Sequence, residues 1–176
     1  MSADILENAS VRRVRQALLA LGAGERVIAL GDSARTAAEA ASALGCPVGA
    51  IVKSLVFDGS GIGADGDGSR GMGAVMALVA GDRMCDTAAL GRALGLSGPP
   101  KRASAELVRE ATGFAIGGVS PLGHPGRLPL AIDGSLTRFP QLFAAAGHPK
   151  TVFPLQFQEL CAWTGGIRAD DLAPER

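Results

Sequence analysis

Cysteine and histidine are scarce in this chain, and most familiar catalytic patterns are missing. Cys46, Cys85 and Cys161 are odd in number and far apart, with no C-x-x-C pair. That excludes a disulfide framework and a cysteine zinc site, and such residues are expected as small buried apolar groups. His124 and His148 each stand beside a proline and a glycine, without metal-ligand spacing. Both are expected in loops rather than as general bases. No G-x-S-x-G elbow and no G-x-x-x-x-G-K-[ST] phosphate loop occurs. Neither a metal nor a cofactor is expected.

Charge of one sign is also lacking: 17 Lys and Arg balance 17 Asp and Glu. Proteins that track many phosphates carry a basic excess, so extensive binding to duplex DNA is excluded, whereas contact with one end of a nucleic acid is not. The longest apolar runs are about seven residues, against the roughly 20 that span a bilayer, so no membrane association is expected. Asp4 and Glu7 interrupt the first eight residues, where a secretory leader would be apolar. The expected location is the cytoplasm. A chain of 176 residues, 47% hydrophobic and 19% charged, fits one globular domain spanning 1–176.

What is present reads as mixed strands and helices. Ser10 is expected to cap a helix through Val11, Val14, Leu18 and Leu21 that stops at Gly22. Arg12, Arg13 and Arg15 fall off its apolar stripe and form a solvated face or meet phosphates. Arg26 to Leu30 reads as a short strand. Thr36 and Glu39 have capping-box spacing for a helix ending at Gly45. Ala50 to Phe57 and Ala74 to Ala80 read as strands. Gly61-Ile-Gly-Ala-Asp-Gly66 matches a dinucleotide fingerprint, but no helix opens at its last glycine, so a loop over 59–73 is expected. Asp82 and Asp86 introduce a helix through Leu96, and Ser104 caps another ended by Gly113. A strand over 128–133, a helix over 139–146, a strand over 151–153 and a helix over 156–163 complete the pattern. Strict βαβ alternation is absent, which points to an α+β or mixed α/β domain, a mixed sheet flanked by helices.

Three features carry chemistry. An isolated buried charge is costly, so Lys53 either points to solvent from an open face or is buried and paired; the apolar face that it shares with Ile51 and Leu55 offers a ligand-facing role. Gly117-Gly-Val-Ser-Pro-Leu-Gly123 makes either an ordinary tight turn or a stiff loop whose N–H groups converge on a carbonyl or an anion. Asp133 ends an apolar strand, as a turn former before Gly134 or as a substrate-facing carboxylate. A lysine, a loop of N–H donors and an aspartate suit a polar substrate and an oxyanion, with water as nucleophile.

Four segments in order, 36–46, 51–57, 117–123 and Ile132-Asp133, with Ala146-Gly147 after them, resemble the YbaK/ProX-type aminoacyl-tRNA deacylases, which also occur as the editing domain of bacterial prolyl-tRNA synthetases. The resemblance implies a compact mixed sheet with a pocket for the aminoacylated 3′ end of tRNA. It implies catalytic roles for Lys53, Gly117, Gly118 and Ser120, and substrate binding by Thr36, Cys46, Val119, Pro121, Asp133, Gly147 and His148. Lys53 would hold the terminal nucleotide, and the loop would meet the aminoacyl group through its backbone. The ester would then be cleaved by a water that the vicinal ribose hydroxyl positions, or, for cysteine, by the substrate's own thiol. Gly118→Val would block such a pocket. Independently of the resemblance, Arg12, Arg13, Arg102, Arg127, Arg138 and Lys150 are candidates for phosphate contact.

Some members of that family carry a histidine before the Thr36 helix, where this chain has Ala29 to Ser33 and none. The amino acid removed is therefore open among alanine, serine, cysteine or a similar small residue, with tRNA(Pro) as the expected carrier and prolyl-tRNA synthetase as a further partner. A pocket too small for proline would act as a sieve. Two rivals stand beside this reading: a non-catalytic module that binds tRNA or a synthetase, and an enzyme acting on free nucleotides or small esters.

Overall fold

The alternation of β-branched and aromatic residues in 51–58 and 74–80 produces the two longest strands, and the rest of the chain is hung on them. The computed structural model describes residues 2–62 and 73–175. β2 (Ile51–Asp58) and β3 (Ala74–Ala80) pair antiparallel, with Val52 opposite Ala80 and Asp58 opposite Ala74. Beyond β3 lie β5 (Leu130–Asp133) and β8 (Ile167–Ala169), both joined in parallel. On the other side β6 (Leu142–Ala145) runs parallel to β2, followed by antiparallel β7 (Thr151–Leu155) and β1 (Ile28–Ala29). The short β4 (Lys101–Arg102) also pairs with β2, at its far end.

Helices cover both faces, as a mixed sheet with two apolar faces requires. Val52 and Val56 look toward α2 (Ala9–Ala20) and α5 (Ala105–Thr112), meeting a core that includes Val14, Leu18, Val108 and Phe114. Leu55 and Phe57 look the opposite way, toward α4 (Thr87–Leu94), with Leu90 and Leu94. Ile51 meets α3 (Ala37–Leu44) through Ala40 and Ala41, whose small side chains let the helix lie close to the sheet. Each fully buried Leu or Phe contributes roughly 1.5–3 kcal/mol. The remaining helices are α1 (Ser2–Leu6) and α6 (Phe157–Thr164).

Several sequence expectations are corrected. The cap of α2 is Asn8, whose side chain accepts from the Ser10 N–H at 3.0 Å, so the helix starts before Ser10. Residues 139–146 contain a strand, not a helix: Leu142 and Ala144 are buried and their neighbours are less so. A short apolar run fits either period, and the ladder to Ile51 and Val52 decides it. Asp82 starts no helix; it pairs with Arg138 at 2.8 Å, and Asp86 caps α4 instead. Arg13 is not a solvated cation, because its guanidinium donates to the Gly113 carbonyl at 2.6 Å and lies over the Phe114 ring. The strands β4 and β8 were not foreseen, and most of the 59–73 loop, with the end of its fingerprint, lies outside the described residues.

The capping box at α3 is present as read: Thr36 Oγ1 accepts from the Glu39 N–H, and the Glu39 carboxylate accepts from the Thr36 N–H. Thr36→Ala removes one of these bonds and should cost about 1 kcal/mol. A lowered urea midpoint with an unchanged slope is the expected result.

Candidate functional site

On the edge of β2 that faces away from β3, pairing is interrupted. β6 bonds at Ile51 and Val52 and β4 at Phe57 and Asp58, so among the described residues the stretch from Lys53 to Val56 has no strand partner on that side. The Ala80 and Met76 N–H groups point toward the β5 side, to the Asp133 carboxylate and the Pro129 carbonyl. Their cross-strand partners Val52 and Val56 therefore turn N–H and C=O away from β3, and Ser54, in phase with them, does the same. A cavity of about 820 Å³ occupies the gap.

The two faces of β2 give this cavity two different walls. On the Lys53 side it is lined by Arg35 and Thr36 at the start of α3, and by Arg102, which shares a face with its cross-strand partner Phe57. Lys53 is half-buried and its Nζ donates to the Arg83 carbonyl. Desolvation lowers the Lys53 pKa, against the opposing pull of Asp82, Cys85 and Asp133. No carboxylate lines the cavity among the described residues. Six arginines elsewhere are paired with carboxylates, while Arg35 and Arg102 have no such partner among the described residues. A neutral protein thus has a cationic cavity wall, which favours an anion.

The other wall is apolar, with Val56, Ala103, Val108 and Val119. Ser54 shares this face of β2; its hydroxyl is turned into the protein, with no hydrogen-bond partner among the described residues. An unsatisfied buried hydroxyl costs roughly 1–3 kcal/mol. Ile116, 64% exposed, lies at the rim beside Gly117.

The glycine loop closes the cavity from the side of α2. His124 Nε2 donates to the Ser120 carbonyl at 2.7 Å, and its ring meets Phe114 edge-on. Burial lowers the His124 pKa, so it packs as a neutral ring. Gly118 lies against a second loop: a Cβ there would come within 2.9 Å of the His148 backbone. Gly147 has φ +95° and sits against the Ser10 carbonyl, where a Cβ would lie 2.7 Å away. The Gly118 N–H is taken by the Ala115 carbonyl at 3.0 Å, whereas the Gly117 and Val119 N–H groups have no acceptor among the described residues.

Of the residues singled out from sequence, Lys53, Thr36, Gly117, Val119 and His148 line the cavity together. The His148 Nδ1 accepts from the Lys150 N–H, which leaves its proton on Nε2, and burial lowers its pKa. Gly118 and Gly147 stand behind the wall and hold the two loops together. Ser120 is fully buried, its Oγ accepting from the Leu122 N–H, and Pro121 is buried beside it. Asp133 is fully buried and accepts from the Ala80 N–H and from the Ser135 N–H and hydroxyl, the turn-forming reading of that residue. Cys46 packs with Ala40, Ala41 and Ile51, and burial raises its pKa. Ser54 and Arg35 were missed: nothing local marks them, because the cavity these residues line is completed by β6, far along the chain.

The family model for the aminoacyl-tRNA editing domain matches residues 32–162, a span that includes every residue lining the cavity. The chain belongs to the aminoacyl-tRNA editing domain family. Among solved structures, a protein proposed as a trans-editing enzyme for prolyl tRNA synthetase superposes on this editing domain with a TM-score of 0.82 at 43% identity, over 96% of this chain and 99% of that one. A protein used as a scaffold for computational grafting of linear epitopes gives a TM-score of 0.81 at 37% identity, with the same coverage. The uncharacterized protein YwhH of Bacillus subtilis is 30% identical over 128 residues, 73% of this chain and 74% of that protein. The shared fold is the single mixed sheet with flanking helices read from the sequence. No helix among the described residues is long and apolar enough to cross a membrane.

The close contact of the editing domain's two loops gives a prediction. Gly118→Ala should push the 117–119 segment off the His148 backbone rather than fill the cavity. Melting should drop by several degrees, and the His148 imidazole resonance should shift. An unchanged melt with an unshifted His148 signal would contradict the contact.

Proposed function

We propose that this chain is a trans-acting deacylase that hydrolyses the ester between a mischarged small amino acid, among alanine, serine and cysteine, and the 3′-terminal ribose of a tRNA, with tRNA(Pro) as the carrier. The observation that carries this reading is the two-walled cavity at the unpaired edge of β2. Its cationic wall suits the phosphate and ribose of a terminal nucleotide, and its apolar wall suits a small side chain. Membership of the editing family and the likeness to a proposed prolyl-tRNA trans-editing enzyme support the same assignment.

In this reading Lys53 and Arg35 hold the terminal phosphate, and Thr36 borders the same wall. The N–H groups of Gly117 and Val119 face the ester carbonyl and stabilise the oxyanion as water adds to the carbonyl carbon. The tetrahedral intermediate collapses with cleavage of the bond to the ribose oxygen, which takes up a proton, and the free amino acid leaves. Ser120 is no nucleophile here, since its hydroxyl faces the protein interior. Water is the nucleophile, ordered by the vicinal ribose hydroxyl; His148 Nε2–H is a neutral donor at the same wall. The protein would work in the cytoplasm beside prolyl-tRNA synthetase, on uncomplexed tRNA.

Deacylation of alanyl-, seryl-, cysteinyl- and prolyl-tRNA(Pro) tests the proposal. Rapid loss of at least one mischarged ester with prolyl-tRNA(Pro) spared is expected. Lys53→Ala should lower kcat/KM by about 100-fold, as expected when a partly buried charge contact is truncated. Tight tRNA binding without turnover of any ester would instead favour a binding module.

A further inference from the structure

The structure assigns Arg138 the task of holding the Asp82 carboxylate off Lys53, so that the lysine keeps its charge for an anionic ligand. The inference rests on the role proposed above for Lys53 and adds a positioning residue outside the cavity, since neither Asp82 nor Arg138 lines it. Its carrying observation is how the charges around Lys53 are spent. The ammonium donates to a neutral acceptor, the Arg83 carbonyl, although Asp82 directly precedes that residue. Both Asp82 oxygens are taken by Arg138, whose Nη1 and Nη2 donate to Oδ2 and Oδ1 at 2.9 and 2.8 Å.

The pair is itself fixed. Arg138 Nε donates to the Ser135 carbonyl at 2.8 Å, and the guanidinium lies over the Phe139 ring, 4.8 Å from its centre. Gly49 leaves room for this arrangement: a Cβ there would lie 2.5 Å from the Phe139 ring and 2.8 Å from Asp82 Oδ2. A planar fork that binds both carboxylate oxygens holds the group in one orientation. The other groups that act on Lys53 are occupied or uncharged. Asp133 accepts from the Ala80 N–H and from the Ser135 N–H and hydroxyl. Burial pushes the Cys85 thiol up to about 12, so it carries no charge at neutral pH.

Without Arg138, the Asp82 carboxylate needs another cation. Arg83 also acts on it, but that guanidinium is drawn away to the Ala173 carbonyl and to Glu175. Lys53, bonded to the next carbonyl along, is what remains. A lysine paired to a carboxylate must give up that pair before it can serve a phosphate. Arg138, a candidate for phosphate contact from the sequence, therefore acts through Asp82 instead.

Three variants that all lack the ion pair provide the test: Arg138→Ala, Asp82→Asn and the two combined. The readouts are the Kd of adenosine 5′-monophosphate, standing for the terminal nucleotide, and kcat/KM for the aminoacyl-tRNA(Pro) ester that the wild type hydrolyses fastest. Arg138→Ala should worsen both by about tenfold. Asp82→Asn should bind the nucleotide at least as tightly as the wild type, and the double variant should return to within about twofold of the wild type. The same order should hold in about 0.5 M salt, which screens long-range charge; an order lost there overturns the inference. Equal damage in all three variants, as a purely structural pair would give, overturns it. So does a double variant no better than Arg138→Ala, the result of direct phosphate contact by Arg138. Each of these leaves the deacylase reading intact, whereas a wild type that neither binds the nucleotide nor hydrolyses any ester overturns both. If Arg138→Ala does not fold, Asp82→Asn decides alone: affinity held or raised supports the role, and a fall of about tenfold overturns it.

Discussion

The structure depends on one incomplete ladder. A strand buried on both faces normally has its backbone groups paired on both edges, because an unpaired buried N–H or C=O is costly. In β2 the outer edge is bonded at the two ends by β6 and β4 and left open between them. The β2–β3 pairing, complete from Val52 to Asp58, holds the strand straight across that gap. The two cores that grip β2 from opposite faces supply the packing energy that offsets the open edge. The cavity is therefore a missing piece of sheet, and its chemistry follows from which side chains a strand presents to its two faces.

That geometry also gives a protein of zero net charge a cationic cavity wall. Six arginines are tied to carboxylates outside the cavity, whereas the cavity gathers Arg35, Lys53 and Arg102 without a lining carboxylate among the described residues. The attraction is local rather than global. It suits recognition of one terminal nucleotide more than tracking along a duplex, whose affinity grows with the number of phosphates neutralised. Desolvation lowers the Lys53 pKa, and the neighbouring Asp82, Cys85 and Asp133 oppose that shift.

What was legible in the sequence was local. The capping box at Thr36, the Gly45 and Gly113 stops and the lysine strand all rest on contacts within a few residues, and the structure has each of them. The two-sidedness of the site was not legible. It requires β6, whose four residues read equally well as helix or strand until Ile51 and Val52 pair with them. Ser120 and Asp133 attract attention as reactive groups, yet both spend their oxygens on nearby backbone N–H groups. Polar residues beside turns tend to be consumed by the turn, and this is where sequence reasoning about sites misplaces them.

Amide hydrogen exchange along β2, with and without a 3′-amide-linked aminoacyl adenosine, tests the open edge most directly. In the free protein the Lys53 and Leu55 N–H groups, bonded to β3, should exchange slowly, while those of Ser54 and Val56 exchange faster by orders of magnitude. On adding the ligand, Ser54 and Val56 should slow and their neighbours stay as they were. A Ser54 amide as protected as Leu55 in the free protein, or indifferent to the ligand, would contradict the account.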